Sequence, residues 1–319
     1  MSGSPTTHGV LRARVAATFS HHLHSGERLS ARAQATLILF SALLFGFQFV
    51  AFKETFHAMG PWTLLALRSL LSIPVLYALM RWTGVTVRAG RAELLRIALP
   101  AALLLGSQVT FMLGVHRLSA GLTSTLFSVS PLVTLALGIA FRVERVALIG
   151  VLGASVGVVG VAVATGATSS GVDMVGVLIV LASNVLYALS FIAIKRMATP
   201  VSSGVYLLVM MVESVIALTP AAIIKEGFAI DLAWRSALAL AYIVVLGQVI
   251  AYVAVMALLR FGGAFQSMLV TPLIPVFAIF FAVLLLGEPL LGRELAGGAL
   301  IIGGVIAAIL PGRPRAAGA

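Results

Sequence analysis

Four amides stand inside long apolar stretches of the chain: Gln48, Gln108, Asn184 and Gln248. Asn184 is the single asparagine in the sequence. Ser41, Phe45, Gln48 and Phe52 recur at spacings of four, three and four, which places them on one helical face. Ser183, Tyr187, Ser190 and Ile194 repeat that face, with Asn184 beside it. Gln108 is followed by Phe111, and Gln248 by Tyr252. An amide in hydrocarbon must find another helix or water in a cavity. Converging at mid-depth, Phe45, Gln48, Gln108, Phe111, Asn184, Tyr187, Ser190, Gln248 and Tyr252 could hold a zwitterion. Amide oxygens would take an ammonium, amide N–H groups a carboxylate, and rings an apolar side chain. Interhelical hydrogen bonding, about 0.6–2 kcal/mol per contact, is the other role open to each amide.

Arg68 and Glu213 are ionisable groups within apolar stretches. Such charges cost about 2.5–3.5 kcal/mol on insertion scales and are functional candidates by default. Glu213 is a candidate proton-coupling carboxylate or half of a structural ion pair. Glu144 is flanked by Arg142 and Arg145, and Glu288 precedes Pro289, which suits a cap ahead of a first-turn proline. Local capping and pairing is the plainer role for both glutamates, and a gate latch the sharper one. Pro131 and Pro275 predict kinks in corresponding helices, fit for a hinge or a cavity wall.

Other patterns carry no chemistry. Gly153-Ala154-Ser155-Val156-Gly157 fits a nucleophile elbow, but no strand precedes it and no intramembrane histidine serves it. Close helix packing through Gly153, Gly157 and Gly160 is expected instead. His21-His22-Leu23-His24 sits in a polar tail and is read as a solvated segment, so no metal is expected. No phosphate-binding loop, zinc-protease motif or dinucleotide fingerprint occurs, and no cofactor is expected. The absence of cysteine excludes disulfides, thiolate metal sites and cysteine nucleophiles.

The elements that must position these residues are membrane helices. Apolar residues make up 61% of the 319 positions and charged residues 10%, with a mean hydropathy of +1.12. Soluble domains carry about 25% charge, so lipid must cover most of this surface. Spans need about 20 apolar residues each, and ten blocks qualify: 36–53, 61–80, 94–113, 120–141, 147–166, 174–194, 203–224, 235–257, 263–286 and 293–310. The first is expected to act as an uncleaved signal anchor behind a basic tail, residues 1–34. Trp62, Trp82 and Trp234 mark block edges at headgroup level. The net charge of +11 is scattered singly between blocks, which argues against nucleic acid. With the N-terminus inside, fifteen Lys and Arg fall on the cytoplasmic side and five on the other, so both termini are expected in the cytoplasm.

The blocks repeat. A shift of 142 places Ser41 on Ser183, Phe45 on Tyr187 and Lys53 on Lys195. A shift of 144 places Ala120 on Ala264, Pro131 on Pro275, Glu144 on Glu288, Gly153 on Gly297 and Gly160 on Gly304. A five-helix unit has an odd number of crossings, so its second copy enters the membrane from the opposite side, as in alternating-access transporters.

On these residues the sequence resembles the EamA-type transporters of the drug/metabolite transporter superfamily, over roughly 36–310. Phe45-Gly46-Phe47-Gln48-Phe49-Val50-Ala51-Phe52-Lys53 is similar to that family's opening motif, with Phe45 for the usual Trp and Gln48 for Asn. Ser119-Ala120-Gly121, Ser130-Pro131-Leu132-Val133-Thr134 and Glu144 look like its fourth-helix pattern, with Val143 where glycine is usual. Thr271-Pro272-Leu273-Ile274-Pro275-Val276 and Leu286-Gly287-Glu288-Pro289 match in the second half. The resemblance implies a ten-helix basket around a central cavity, export or exchange of metabolites, and a structural or gating role for Arg68.

The expected fold is therefore an all-α membrane protein of ten transmembrane helices in two inverted five-helix repeats, 35–166 and 174–310, with cytoplasmic tails 1–34 and 311–319. The expected function is secondary transport of small metabolites, neutral or aromatic amino acids foremost, across a bacterial-type inner membrane, with a proton as candidate coupling ion. A sugar-phosphate or nucleotide-linked substrate would need several cavity-facing cations, and only Arg68 is clearly intramembrane. An intramembrane enzyme would need a catalytic dyad with a nucleophile, and a membrane scaffold would need large soluble loops; the sequence offers neither.

Overall fold

Long apolar runs with no exposed polar face have one stable solution in lipid, a helix that satisfies its own backbone. The computed structural model describes residues 30–82, 90–141, 148–165, 172–195, 203–258, 270–289 and 291–309, and those residues form helices with no strand among them. In chain order these are α1 (Ala31–Thr55), α2 (Pro61–Trp82), α3 (Arg91–Arg117), α4 (Ala120–Phe127), α5 (Ser130–Ala140), α6 (Leu148–Thr165), α7 (Met174–Lys195) and α8 (Ser203–Glu226). Then come α9 (Trp234–Tyr242), a π-helical segment (Ile243–Ile250), α10 (Ala251–Ala257), α11 (Val270–Phe281), a second π segment (Ala282–Leu286) and α12 (Gly292–Ile309). Among the described residues, seven helical stretches are long and apolar enough to cross a membrane, with α4–α5 and the α9–α10 stretch each making one. Leu95, Val158 and Ile224 are 68%, 68% and 83% exposed on the bundle's outside, a surface that only lipid solvates. The protein is a multi-pass membrane protein.

Helix edges fall close to the expected blocks. Residues 31–34, expected in the N-terminal tail, instead open α1, because the Ser30 hydroxyl accepts from the Ala33 N–H and caps the helix there. The fourth block divides at 128–129, where Ser130 and Pro131 begin α5. Pro131 cannot donate to the carbonyl four residues back, and the chain turns through 3₁₀-type bonds such as Val129 N–H to the Leu126 carbonyl (3.3 Å). Pro275 behaves differently: α11 runs through it without a break, so the two prolines do not produce matching interruptions.

Packing is tightest where glycines face each other. On α6 and α12, a β-carbon at Gly160 would lie 2.8 Å from the Gly297 carbonyl oxygen, and one at Gly304 would lie 2.5 Å from the Gly153 carbonyl oxygen and 3.0 Å from the Gly157 nitrogen. Close helix approach is thus the role of Gly153, Gly157 and Gly160. Elsewhere α2 packs on α8, α3 on α7, and α1 on α11 and on the α9–α10 stretch. These contacts surround a central space.

Candidate functional site

The central space is a cavity of about 120 Å³. Its wall includes Phe45, Gln48, Gln108, Phe111, Tyr187, Gln248 and Tyr252 from the expected binding set, together with Arg68. Phe52, expected on the face of Phe45 and Gln48, lines it too, and Phe49, Phe127, Phe191 and Tyr206, which the sequence did not single out, complete the aromatic lining. The rings pack edge to face, as Phe45 on Tyr252 (5.3 Å), Phe49 on Phe111 (5.5 Å) and Phe127 on Tyr187 (5.8 Å). T-shaped pairs hold each ring's orientation, so the wall is firm as well as apolar.

The polar groups divide into those spent on the protein and those left over. Arg68, 4% exposed, donates from a terminal nitrogen to Gln108 Oε1, while its Nε has no hydrogen-bond partner. Its guanidinium carbon lies 5.9 Å from the Phe52 ring centroid. Gln108 Nε2 in turn donates to Met210 Sδ (3.1 Å). Gln248 is fully buried, and neither Nε2 nor Oε1 has a hydrogen-bond partner. It sits on the π segment, and such wide turns gather at functional sites. Ser72 donates to the Val244 carbonyl of that segment (3.5 Å), tying α2 to it. Gln48 packs on the same segment, where a β-carbon at Gly247 would come within 2.8 Å of its amide carbon.

Asn184 and Ser190 lie off the cavity wall. Asn184 Nδ2 donates to the Leu126 carbonyl (2.9 Å) at the α4–α5 break, with Oδ1 unpartnered, and Ser190 donates to the Tyr187 carbonyl one turn back (2.8 Å). The Leu126 carbonyl thus accepts from Asn184 as well as from the Val129 N–H of the turn. Ala42, its repeat counterpart, packs in an apolar cluster with Val270 instead.

The charged candidates also separate. Glu213 leaves Oε2 without a hydrogen-bond partner and makes no bond with Arg68 among the described residues. Glu144 lies outside the described residues. Glu288 does not cap its own following helix, as expected from Pro289. Its Oε1 and Oε2 accept from Ala120 N–H (3.0 Å) and Gly121 N–H (3.3 Å), the first turn of α4. Gly287, at φ +64°, turns the chain so that the carboxylate reaches across the bundle. Lys53 Nζ, close by, donates to the Leu118 carbonyl just before α4.

A second cap of this kind was not singled out from sequence. Glu226, at the end of α8, accepts from Trp62 N–H (3.2 Å), Thr63 N–H (2.8 Å) and Thr63 Oγ1 (2.7 Å) in the first turn of α2. Two glutamates from the second half thus cap helix N-termini in the first, where orphan N–H groups and the helix dipole favour negative charge. No sequence signal marked it; in the structure Gly60 leaves the room, since an added β-carbon there would clash with the Glu226 carboxylate.

A bundle of apolar helices around a cavity with firm aromatic walls and an unspent amide defines a polytopic membrane protein. The model of the EamA-like transporter family matches residues 33–166 and again 174–310, and the chain belongs to that family. It is 26% identical over 298 residues to a Salmonella typhimurium protein described as "Probable amino-acid metabolite efflux pump", covering 86% of this chain and 94% of the relative. A solved crystal structure aligns with TM-score 0.66 at 20% identity, covering 88% of this chain and 99% of its own, a likeness of fold. The chain is a small-molecule transporter.

Proposed function

We propose that the chain is a secondary exporter or exchanger of small zwitterionic metabolites, neutral or aromatic amino acids foremost, working by alternating access. The observation that carries this reading is Gln248, fully buried on the cavity wall with both amide atoms unpartnered. Such a group in a low-dielectric bundle is costly unless something else bonds it. Aromatic walls suit an apolar side chain, and about 120 Å³ is small beside the roughly 300–1,000 Å³ of drug-sized pockets. A sugar phosphate or nucleotide-linked solute fits less well, because Arg68 is the one cation on the wall among the described residues. The description of the Salmonella relative as an amino-acid metabolite pump points the same way.

The same reading holds ten spans in two inverted repeats, 35–166 and 174–310, between cytoplasmic tails in a bacterial-type inner membrane. The twofold family match supports the repeat. So does the α6–α12 crossing, where Gly153 meets Gly304 while its counterpart Gly297 meets Gly160, the counterpart of Gly304. A twofold relation requires that kind of reciprocal contact. Fifteen basic residues against five support the orientation. The unpartnered Glu213 carboxylate is the candidate for proton coupling, and Glu288, bridging the halves, for a latch.

Proteoliposome counterflow with a panel of amino acids and phosphorylated metabolites, with and without a pH gradient, tests the reading. Counterflow of neutral or aromatic amino acids is expected, and exchange of sugar phosphates alone would overturn it. Full pH-gradient sensitivity in Glu213→Gln would remove that residue from coupling.

A further inference from the structure

Arg68 carries a charge that the protein leaves unbalanced. Its side chain is buried on the cavity wall, makes no ion pair among the described residues, and spends one terminal nitrogen on the neutral oxygen of Gln108. Its Nε has no hydrogen-bond partner. Arginine stays protonated in proteins, and a buried charge without a counter-charge is among the costliest groups a fold can hold. The second orphan on the same wall is Gln248, with a free donor and a free acceptor. The two stand on touching elements: Ser72, one turn after Arg68, bonds the Val244 carbonyl, one turn before Gln248.

We infer that the transported solute is a carboxylate whose anionic end is bound by the Arg68 guanidinium, with Gln248 bonding the remainder of the molecule and Gln108 acting as a positioning residue. This rests on the reading of the cavity as the substrate site. The guanidinium fork matches a carboxylate, and its free Nε supplies a donor for it. Gln108 is itself held, with Nε2 on Met210 Sδ, so its oxygen stays turned to Arg68. No acidic residue lines the cavity among the described residues, so an ammonium finds only neutral oxygens, of amides and hydroxyls, and ring faces. The carboxylate therefore dominates recognition, and the amino group is secondary.

Isothermal titration of the purified full chain in detergent separates the two ends. The probes are L-phenylalanine and L-leucine, the amines lacking their carboxylate (phenethylamine, isoamylamine), and the acids lacking their amine (3-phenylpropionate, 4-methylpentanoate). The amino acids and the acids are expected to bind, and the amines to bind about 30-fold or more weaker, the effect of removing one partner of a buried charge pair. Arg68→Lys should weaken the acids and leave the amines unchanged; the wild-type series decides the matter if that variant does not fold. Gln108→Leu should weaken the amino acids and the acids and spare the amines, whereas a purely structural role would weaken all six probes together. Amines binding as tightly as the acids would overturn the inference. Acids binding while amino acids do not would overturn the amino-acid reading and leave the carboxylate site standing. Binding by none of the six would overturn both.

Discussion

Replacing Glu226 by alanine removes the acceptor of three hydrogen bonds at the first turn of α2. The backbone N–H groups of Trp62 and Thr63 then lose their carboxylate at a helix end that is partly buried. Loss of an N-terminal cap costs about 0.5–2 kcal/mol, and hydrogen bonds to a charged group contribute about 1.5–3 kcal/mol. These figures describe the same carboxylate and do not add, so about 2–3 kcal/mol is expected. Chains of this size shift by roughly 2 °C per kcal/mol, which gives a fall of ~4–6 °C in thermal unfolding followed by intrinsic fluorescence in detergent. Glu226→Gln keeps the shape and one acceptor, and should fall by about half as much. Gly60→Ala is an independent route to the same loss, because its β-carbon would occupy the place of the carboxylate. Unfolding of Glu226→Ala within about 1 °C of the parent, or a neutral Gly60→Ala beside a destabilised Glu226→Ala, would refute the role of this cap.

Gly160→Ala should cost about 1–3 kcal/mol, since the new methyl meets the Gly297 carbonyl oxygen at 2.8 Å and the Ile301 nitrogen at 2.9 Å, backbone that cannot give way. Gly303→Ala, with nothing within 4 Å, should be neutral, and folded yield by size-exclusion chromatography compares the two. Gly247→Ala pushes only the flexible end of Gln48, 2.8 Å away, so thermal stability should hold while counterflow affinity changes. At the loop before α7, the Arg117 guanidinium bonds Asp173 (2.8 Å) and holds its carboxyl below the ordinary value of 3.8. That stabilisation is present above pH 3.8 and lost as pH falls through the lower folded value, so the stability gap between the parent and Asp173→Asn should close in acid titration.

The apolar blocks read as helices because a polar backbone in hydrocarbon has no other local solution, and the edges of α2, α6 and α8 fall within a few residues of expectation. The convergence of Phe45, Gln48, Gln108, Phe111, Tyr187, Gln248 and Tyr252 on one cavity was legible too, since residues three or four apart share a face. What spacing does not fix is which neighbour a face meets. Asn184 stands one position from Ser183 on α7, yet its amide serves the Leu126 carbonyl at the α4–α5 break. The bonds of Glu226 and Glu288 span more than 160 residues, and no local pattern encodes a cap given to a distant helix. The π segment carrying Gln248 was equally invisible, because Ile243–Ile250 has the composition of an ordinary membrane helix.

The central claim is that the amide-bearing cavity is where the solute binds. Counterflow of a labelled neutral amino acid into proteoliposomes tests it directly, comparing Gln48→Ala and Gln248→Ala with Asn184→Ala, whose amide faces a carbonyl off the cavity wall. The two cavity variants should fold normally and change apparent affinity or selectivity, while Asn184→Ala loses stability and keeps its selectivity. Folded Gln48→Ala and Gln248→Ala proteins with unaltered counterflow would contradict it.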